Sequence, residues 1–203
     1  MTDDGLVRCS WGAEPAMRDY HDREWGRPVV DETGLYERLC LEAFQSGLSW
    51  STILAKRDGF RRAFAGFDPG AVARFGARDV ERLLGDASIV RNRAKIEAAI
   101  ANAGAVVALR GAEVPFPALV WSFAPAAASA PQASGDIPAV VRESQALAQG
   151  LKRLGFRFVG PTTAYALMQA CGLVNDHVEA CHVRGAVEAE RAAARKPRAA
   201  AES

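Results

Sequence analysis

Nowhere does this sequence hold the two-residue alternation of a half-buried strand, while several windows repeat their apolar residues every three or four positions. That pattern restricts the chain to an all-α fold. Asp31 and Thr33 stand where a helix would be capped, Leu35, Tyr36, Leu39, Cys40 and Ala43 supply its apolar stripe, and Gly47 suits the residue just past its end. Ser49 or Ser51 can open the next helix through Ile53, Leu54 and Arg57. Asp68-Pro69 then gives a cap and a first-turn proline before Val72 and Phe75, and a further helix runs through Val80, Leu83 and Leu84. The segment Val90 to Leu109 reads as amphipathic with its basic residues off the stripe. Pro115-Phe116-Pro117 breaks it, a short apolar helix follows through Phe123, and Ala124 to Gly135 reads as a loop. Two late helices are expected, one from Ser144 to Leu154 and one from Thr162 or Thr163 to Cys171. Residues 1–183 are read as one domain of two helical lobes, and residues 184–203, mostly Ala, Arg and Glu, as a disordered or frayed polar tail.

With 203 residues, 49% of them hydrophobic, the chain can bury a substantial core. It has no apolar run of the roughly 18 residues a membrane span needs. Met1-Thr2-Asp3-Asp4-Gly5 lacks the basic and apolar regions of a secretory signal, so a cytoplasmic protein without membrane contact is expected. In that setting Cys9, Cys40, Cys171 and Cys181 favour thiols or metal ligands over disulfides. The net charge of +1 hides an asymmetry: residues 1–50 carry 10 Asp/Glu against 5 Lys/Arg. Basic residues gather later, in Lys56-Arg57 with Arg61-Arg62, in Arg91, Arg93 and Lys95, and in Lys152-Arg153 with Arg157. Three local patches on a near-neutral protein suit a short polyanion segment, and solvated helix faces are the plainer alternative.

Three constellations carry chemistry. Between the late helices, Leu154-Gly155-Phe156-Arg157-Phe158-Val159-Gly160-Pro161-Thr162 has two glycines five apart, which permits a tight hairpin with outward N–H groups beside a helix N-terminus. This is a phosphate site of helix-hairpin-helix type, with Phe156 and Val159 as apolar plugs; a plain αα-hairpin is the alternative. Cys9 and His21 lie early, and His177 and Cys181 lie four apart near the other end; together they could make a closed tetrahedral zinc set of structural type, with core packing as the plainer alternative and His182 as a rival ligand. Last, Trp11, Tyr20, Trp25 and Trp50, with Glu42 and Gln45, could line a pocket for a flat cationic ring, although tryptophans more often serve the core. Glu42 falls at the edge of its helix stripe, where a carboxylate is partly desolvated; an ordinary boundary glutamate with its head in water is the plainer alternative.

These residues carry a resemblance. Tyr20-His21-Asp22-Arg23-Glu24-Trp25-Gly26, Leu41-Glu42, Gln45-Ser46-Gly47-Leu48-Ser49-Trp50, Trp121-Ser122-Phe123, Gly155-Phe156-Arg157-Phe158-Val159-Gly160 and Met168 to His177 are similar to stretches of the DNA-3-methyladenine glycosylase I family, over roughly Arg8 to His182. The resemblance implies an all-helical helix-hairpin-helix glycosylase that flips and excises 3-methyladenine from alkylated double-stranded DNA as a monomer. It implies a structural zinc on Cys9, His21, His177 and Cys181, joining the N- and C-terminal segments. It also implies that Glu42 and Tyr20 hydrogen-bond the extruded base, that Trp50 stacks on it, and that Gly47 and Leu48 sit at the gap it leaves. Trp11, Trp25 and Gln45 complete the base pocket, and Gly155, Arg157, Gly160 and Thr162 meet the DNA backbone. Met17 departs from the family, some members of which have a tyrosine there. A bifunctional lyase would need a nucleophilic lysine at the hairpin, where Pro161-Thr162-Thr163 stands instead. The alternative of another class is a non-catalytic helix-hairpin-helix DNA-binding module with a structural zinc. Asp176 is a rival catalytic carboxylate, expected to serve as an outer partner of the metal through His177.

Overall fold

The computed structural model describes residues 4–126 and 130–197, which form helices and no strand. The ten α-helices are α1 (Pro15–Arg23), α2 (Glu32–Gln45), α3 (Trp50–Ala63), α4 (Pro69–Val72), α5 (Ala77–Gly85), α6 (Arg93–Ala108), α7 (Phe116–Trp121), α8 (Arg142–Arg153), α9 (Pro161–Ala170) and α10 (Arg184–Ala193). None is long and apolar enough to cross a membrane. Residues 1–3, part of the segment examined for a leader, and 127–129, part of the expected loop, lie outside the described residues, as do 198–203 of the tail.

Local signals set the helix starts. Asp31 caps α2 by accepting from the Gly34 amide at 2.8 Å, Ser49 caps α3 through the Thr52 amide, and Asp68 caps α4 ahead of Pro69. α2 is the hub: it packs on α3, α6, α7 and α9, and Leu35, Tyr36, Leu39, Leu41 and Phe44 are buried. Beside it Phe44, Phe60, Phe64 and Phe67 form an aromatic cluster in which Phe64 and Phe67 stack with centroids 5.6 Å apart. At the end of α2 the chain turns through Gly47, whose φ of +82° is a left-handed conformation natural to glycine. The last carbonyls of this turn are met by Lys95 of α6, whose Nζ donates to Phe44 O at 2.9 Å and Ser46 O at 2.6 Å.

Lys95 therefore corrects the expectation that the basic residues of α6 face away from the core. It is buried, and helix C-terminal carbonyls attract a cation that would otherwise be desolvated. The charge asymmetry resolves in the same way, through pairs that join an acid among the first fifty residues to a later arginine: Glu24 to Arg57, Glu37 to Arg61 and Glu32 to Arg110. Lys56 donates to Ala87 O and Arg93 pairs with Glu81, so these two patches mainly hold the protein's own elements together. Lys152, Arg153 and Arg157 remain exposed, with no ion pair among the described residues.

Within the segment expected to be a polar tail, the described residues 184–197 differ from a disordered chain. α10 is a formed helix whose one fully buried side chain, Val187, enters a small core with Cys9, Val178, Cys181 and Val183. Arg191 donates to Gly172 O and Leu173 O, Arg184 to Asn175 O and His177 O, and Arg27 pairs with Glu190. A polar sequence with a single apolar anchor can be ordered when its arginines satisfy loop carbonyls.

Replacing Lys95 by Met should leave the two carbonyls at the end of α2 unpaired and cost about 1–3 kcal/mol of stability, read from urea unfolding. A loss below about 0.5 kcal/mol would make Lys95 an ordinary surface residue.

Candidate active site

Trp11, Tyr20, Trp25, Glu42, Gln45 and Trp50 line one cleft of about 290 Å³, together with Met17, Ile137, Ala166 and Gln169. Every residue read from the sequence as a pocket candidate is thus brought to it. Tyr20 and Trp50 lie 5.3 Å apart between ring centroids, and Trp11 meets Trp25 edge-on at 5.0 Å. The aromatic wall is backed by the Cys/His cluster, since Trp11 packs edge-on against His21 at 5.0 Å and Trp25 against His177 at 4.7 Å.

Glu42 is the electrostatic centre of the cleft. It is 7% exposed, more deeply buried than its place on the stripe suggested, because α1 and α9 close over that edge. Its carboxylate accepts no hydrogen bond from a described residue, and burial pushes its pKa up to about 8, opposed by the charge of Arg38 one turn earlier. Burial first, then the charge of Glu42, raises the Tyr20 phenol well above its usual value, so Tyr20 enters as a neutral donor. Arg38 bonds to Glu24 at 2.8 Å and lies 5.9 Å over the Tyr20 ring, leaving Nη1 buried without a partner. The indole nitrogen of Trp50 is also buried and unmatched. A dry carboxylate facing aromatic rings, with no partner of its own, is suited to a cationic, planar ligand.

The cleft continues into a second space of about 310 Å³ lined by Glu42, Gln45, Ser46, Gly47, Leu48, Thr162, Thr163 and Ala166. Leu48 is 41% exposed there, at the turn between α2 and α3. On the other side stands the hairpin between α8 and α9. Gly155 turns it with φ of +88°, Phe156 is buried and stacks on Phe116 at 5.5 Å, and Val159 is buried, as their reading as plugs required. Asn102 of α6 pins the hairpin through both polar groups of Arg157's backbone, at 2.7 and 3.1 Å. The amides of Phe158, Val159, Gly160, Thr162 and Thr163 donate to no acceptor among the described residues, so an anion at this helix start meets free N–H groups.

Cys9, His21, His177 and Cys181 are all buried and present ligand atoms within 4.8 Å of one another. His177 Nδ1 lies 3.7 Å from Cys9 Sγ and 3.6 Å from Cys181 Sγ, and His21 Nε2 lies 3.6 Å from Cys181 Sγ. These separations match the edges of a tetrahedron, about 3.5 Å for zinc–ligand bonds of about 2.0–2.3 Å. The far nitrogens are oriented as metal-binding imidazoles require: His21 Nδ1 by Asp22 at 2.8 Å, His177 Nε2 by Trp25 O at 3.1 Å. A hydrogen bond with Cys181, then burial, pushes the Cys9 thiol up, while that bond, against burial and with His177 and His21, holds Cys181 down. His182 stays outside this set and binds Asp22 at 3.2 Å. Asp176 does not orient His177 as expected; it accepts from Tyr165 and Gln169 instead, because Trp25 O occupies the far nitrogen.

Sequence reasoning missed Gln169, Ala166 and Arg38. The first two lie three apart on α9, in register with Thr162 and Thr163, a helical face that points to the cleft. Arg38 is one turn before Glu42 on α2.

Fold and site define a helical protein with an aromatic cleft around a buried carboxylate, open beside hairpin amides that meet no acceptor among the described residues. The model of the methyladenine glycosylase family matches residues 10–184, and the chain belongs to that family. It is 48% identical to DNA-3-methyladenine glycosylase 1 of Escherichia coli strain K12, over 87% of this chain and 96% of that protein. Among solved structures, 3-methyladenine DNA glycosylase I aligns with a TM-score of 0.83 at 45% identity, covering 87% of this chain and 98% of the other. A single-residue variant of a 3-methyladenine DNA glycosylase I, solved in complex with 3-methyladenine, aligns with a TM-score of 0.82 at 32% identity, over 87% of this chain and 97% of that one.

Because the pKa of Glu42 is raised, the folded protein holds a proton there that the unfolded chain gives up near pH 4.5. Stability should therefore fall as pH rises from about 4.5 to about 8, then level off. Glu42→Gln should remove that slope, so thermal unfolding across this range should show the variant gaining on the parent with rising pH. Parallel curves would place Glu42 in water.

Proposed function

We propose that this protein is a monofunctional DNA glycosylase that extrudes and excises 3-methyladenine from alkylated double-stranded DNA, leaving an abasic site. The observation that carries this reading is the unpartnered, buried carboxylate of Glu42 in an aromatic cleft next to the hairpin amides. Adenine methylated at N3 is a cation in the nucleotide and leaves as a neutral base, so the departing group needs little acid catalysis. What the protein supplies is extrusion, which costs a few kcal/mol, roughly, and selection of the cation over neutral adenine. Trp50 stacks on the ring, Tyr20 and Gln45 meet its edge, and Glu42, giving up its proton as the cation enters, favours a positive ring over a neutral one. As the N-glycosidic bond breaks, its electrons neutralise the ring; water adds to C1′ of the oxocarbenium-like sugar and releases a proton to solvent. Gly47 and Leu48 face the gap in the duplex, and the amides following Arg157, with Gly155, Gly160 and Thr162 shaping the hairpin, hold the phosphates without reading sequence. The protein acts as a monomer in this scheme. No lysine lines either space, which speaks against a Schiff-base lyase.

The donor set of Cys9, His21, His177 and Cys181 fits a structural zinc, which when bound would tie α1 to the loop before α10 and hold Trp11 and Trp25 in place. One equivalent of zinc per chain is expected from metal analysis, and strong chelation should expose both cysteines to thiol reagents together. Freely reactive thiols in untreated protein, with zinc well below one equivalent, would overturn the assignment.

For the enzyme itself, single-turnover release of 3-methyladenine from methylated DNA is decisive. Glu42→Gln keeps the shape and loses a charged hydrogen bond worth about 1.5–3 kcal/mol, so release should fall roughly ten- to a hundredfold while the fold persists. No release by the parent protein, with DNA affinity intact, would instead favour the non-catalytic binding module.

A further inference from the structure

Gln169 reaches the cleft from α9, and its carboxamide is not free to turn. Its Nε2 donates to Asp176 Oδ2 at 2.8 Å, and the same oxygen accepts the Tyr165 phenol at 2.6 Å. The carboxamide thus presents its NH2 group to Asp176 and turns its oxygen away from it. Asp176 is buried, and burial followed by Asp176 itself pushes the Tyr165 phenol up, so Tyr165 stays a donor. The oxygen Oε1 of Gln169 has no partner among the described residues, although the side chain lines the cleft. Three side chains are thus committed to one orientation of one amide, and none of the three binds the Cys/His cluster.

We propose that Gln169 is a specificity-determining residue of the base pocket, offering a fixed acceptor to the exocyclic group of the extruded purine, with Tyr165 and Asp176 as positioning residues that keep it an acceptor. This rests on the reading of the cleft as a base pocket. The charge of Glu42 separates methylated from unmethylated purines, but it cannot separate two purines that both become cationic by methylation at N3. 3-Methyladenine carries a 6-amino donor and 3-methylguanine a 6-oxo acceptor. An acceptor held at that edge bonds the first and faces the second lone pair to lone pair. In a closed pocket an unmet polar pair of this kind costs roughly ten- to a hundredfold in rate.

The test is single-turnover release of both bases from methylated DNA by the full chain and by the variants Asp176→Asn and Gln169→Met. Because both bonds end on one oxygen, Asp176→Asn acts through its loss of charge: an amide oxygen holds the Tyr165 hydroxyl and the Gln169 NH2 more weakly than a carboxylate does, and the carboxamide of Gln169 becomes freer to turn. The preference for 3-methyladenine over 3-methylguanine should then fall severalfold, with zinc content unchanged. Gln169→Met should lower the same ratio through loss of 3-methyladenine release alone, and decides the matter if Asp176→Asn does not fold. An unchanged ratio in the folded variants, or an equal loss for both bases, would reduce the trio to a structural contact. If the parent releases neither base, the reading of the cleft itself fails; if it releases 3-methyladenine and the ratio does not move, only this inference does.

Discussion

The structure depends on keeping one carboxylate out of water without giving it a partner. Burial of Glu42 is unfavourable by itself, as the upward push on its pKa records, and the surrounding elements have to hold it there. Tyr20, Trp11, Trp25 and Trp50 exclude water; His21 and His177 pack edge-on against two of those rings and fix their tilt. Arg38, tied to Glu24, lends a positive charge from one turn away, too far to neutralise the site and near enough to temper it. The same free energy that destabilises the empty cleft is returned when a cationic ring enters it.

α2 serves two purposes because its two faces are governed by different neighbours. Its apolar side, from Leu35 to Phe44, packs into the main core and makes the helix rigid. The side bearing Arg38, Glu42 and Gln45 faces α1, α3 and α9, with Trp11, Trp25 and Ile137, and these leave the cleft between them. Lys95 then fixes the end of the helix, so the turn carrying Gly47 and Leu48 starts from a defined point. A rigid floor and a short exposed turn are what a site needs when it must hold a base on one side and a duplex on the other.

What could be read from the sequence was what local chemistry decides. Asp31, Ser49 and Asp68-Pro69 mark helix starts by groups within three residues of one another, and Gly155 and Gly160 mark the hairpin for the same reason. The six pocket side chains were legible because they gather in the first fifty residues, all but Trp11 within stretches that carry the family resemblance, although tryptophans alone point more often to a core. The depth of Glu42 was not, since a helical wheel does not show that α9, more than a hundred residues later in the chain, covers its edge. The orientation of Gln169 by Asp176 was hidden because it depends on which atom of His177 is already taken. Lys95 and α10 were misread by composition: a basic residue and an Ala/Arg/Glu segment look solvated until carbonyls at the end of α2 and in residues 172–177 are found to need donors.

Gly172 shows how tightly the early and late parts of the chain are sewn. With φ of +74°, a Cβ there would stand 2.6 Å from Gly26 O, while the Gly26 and Val29 amides bond to Gln169 O and Cys171 O. Cys9 and His177, which meet in the same seam, are 168 residues apart. On a ribosome adding about 5–20 residues per second, the first segment emerges on the order of ten to thirty seconds before its partners exist. During that interval Trp11, Trp25 and an unshielded thiol wait in solvent, so the newborn chain is most exposed to oxidation and sticking in the part that later becomes its most enclosed.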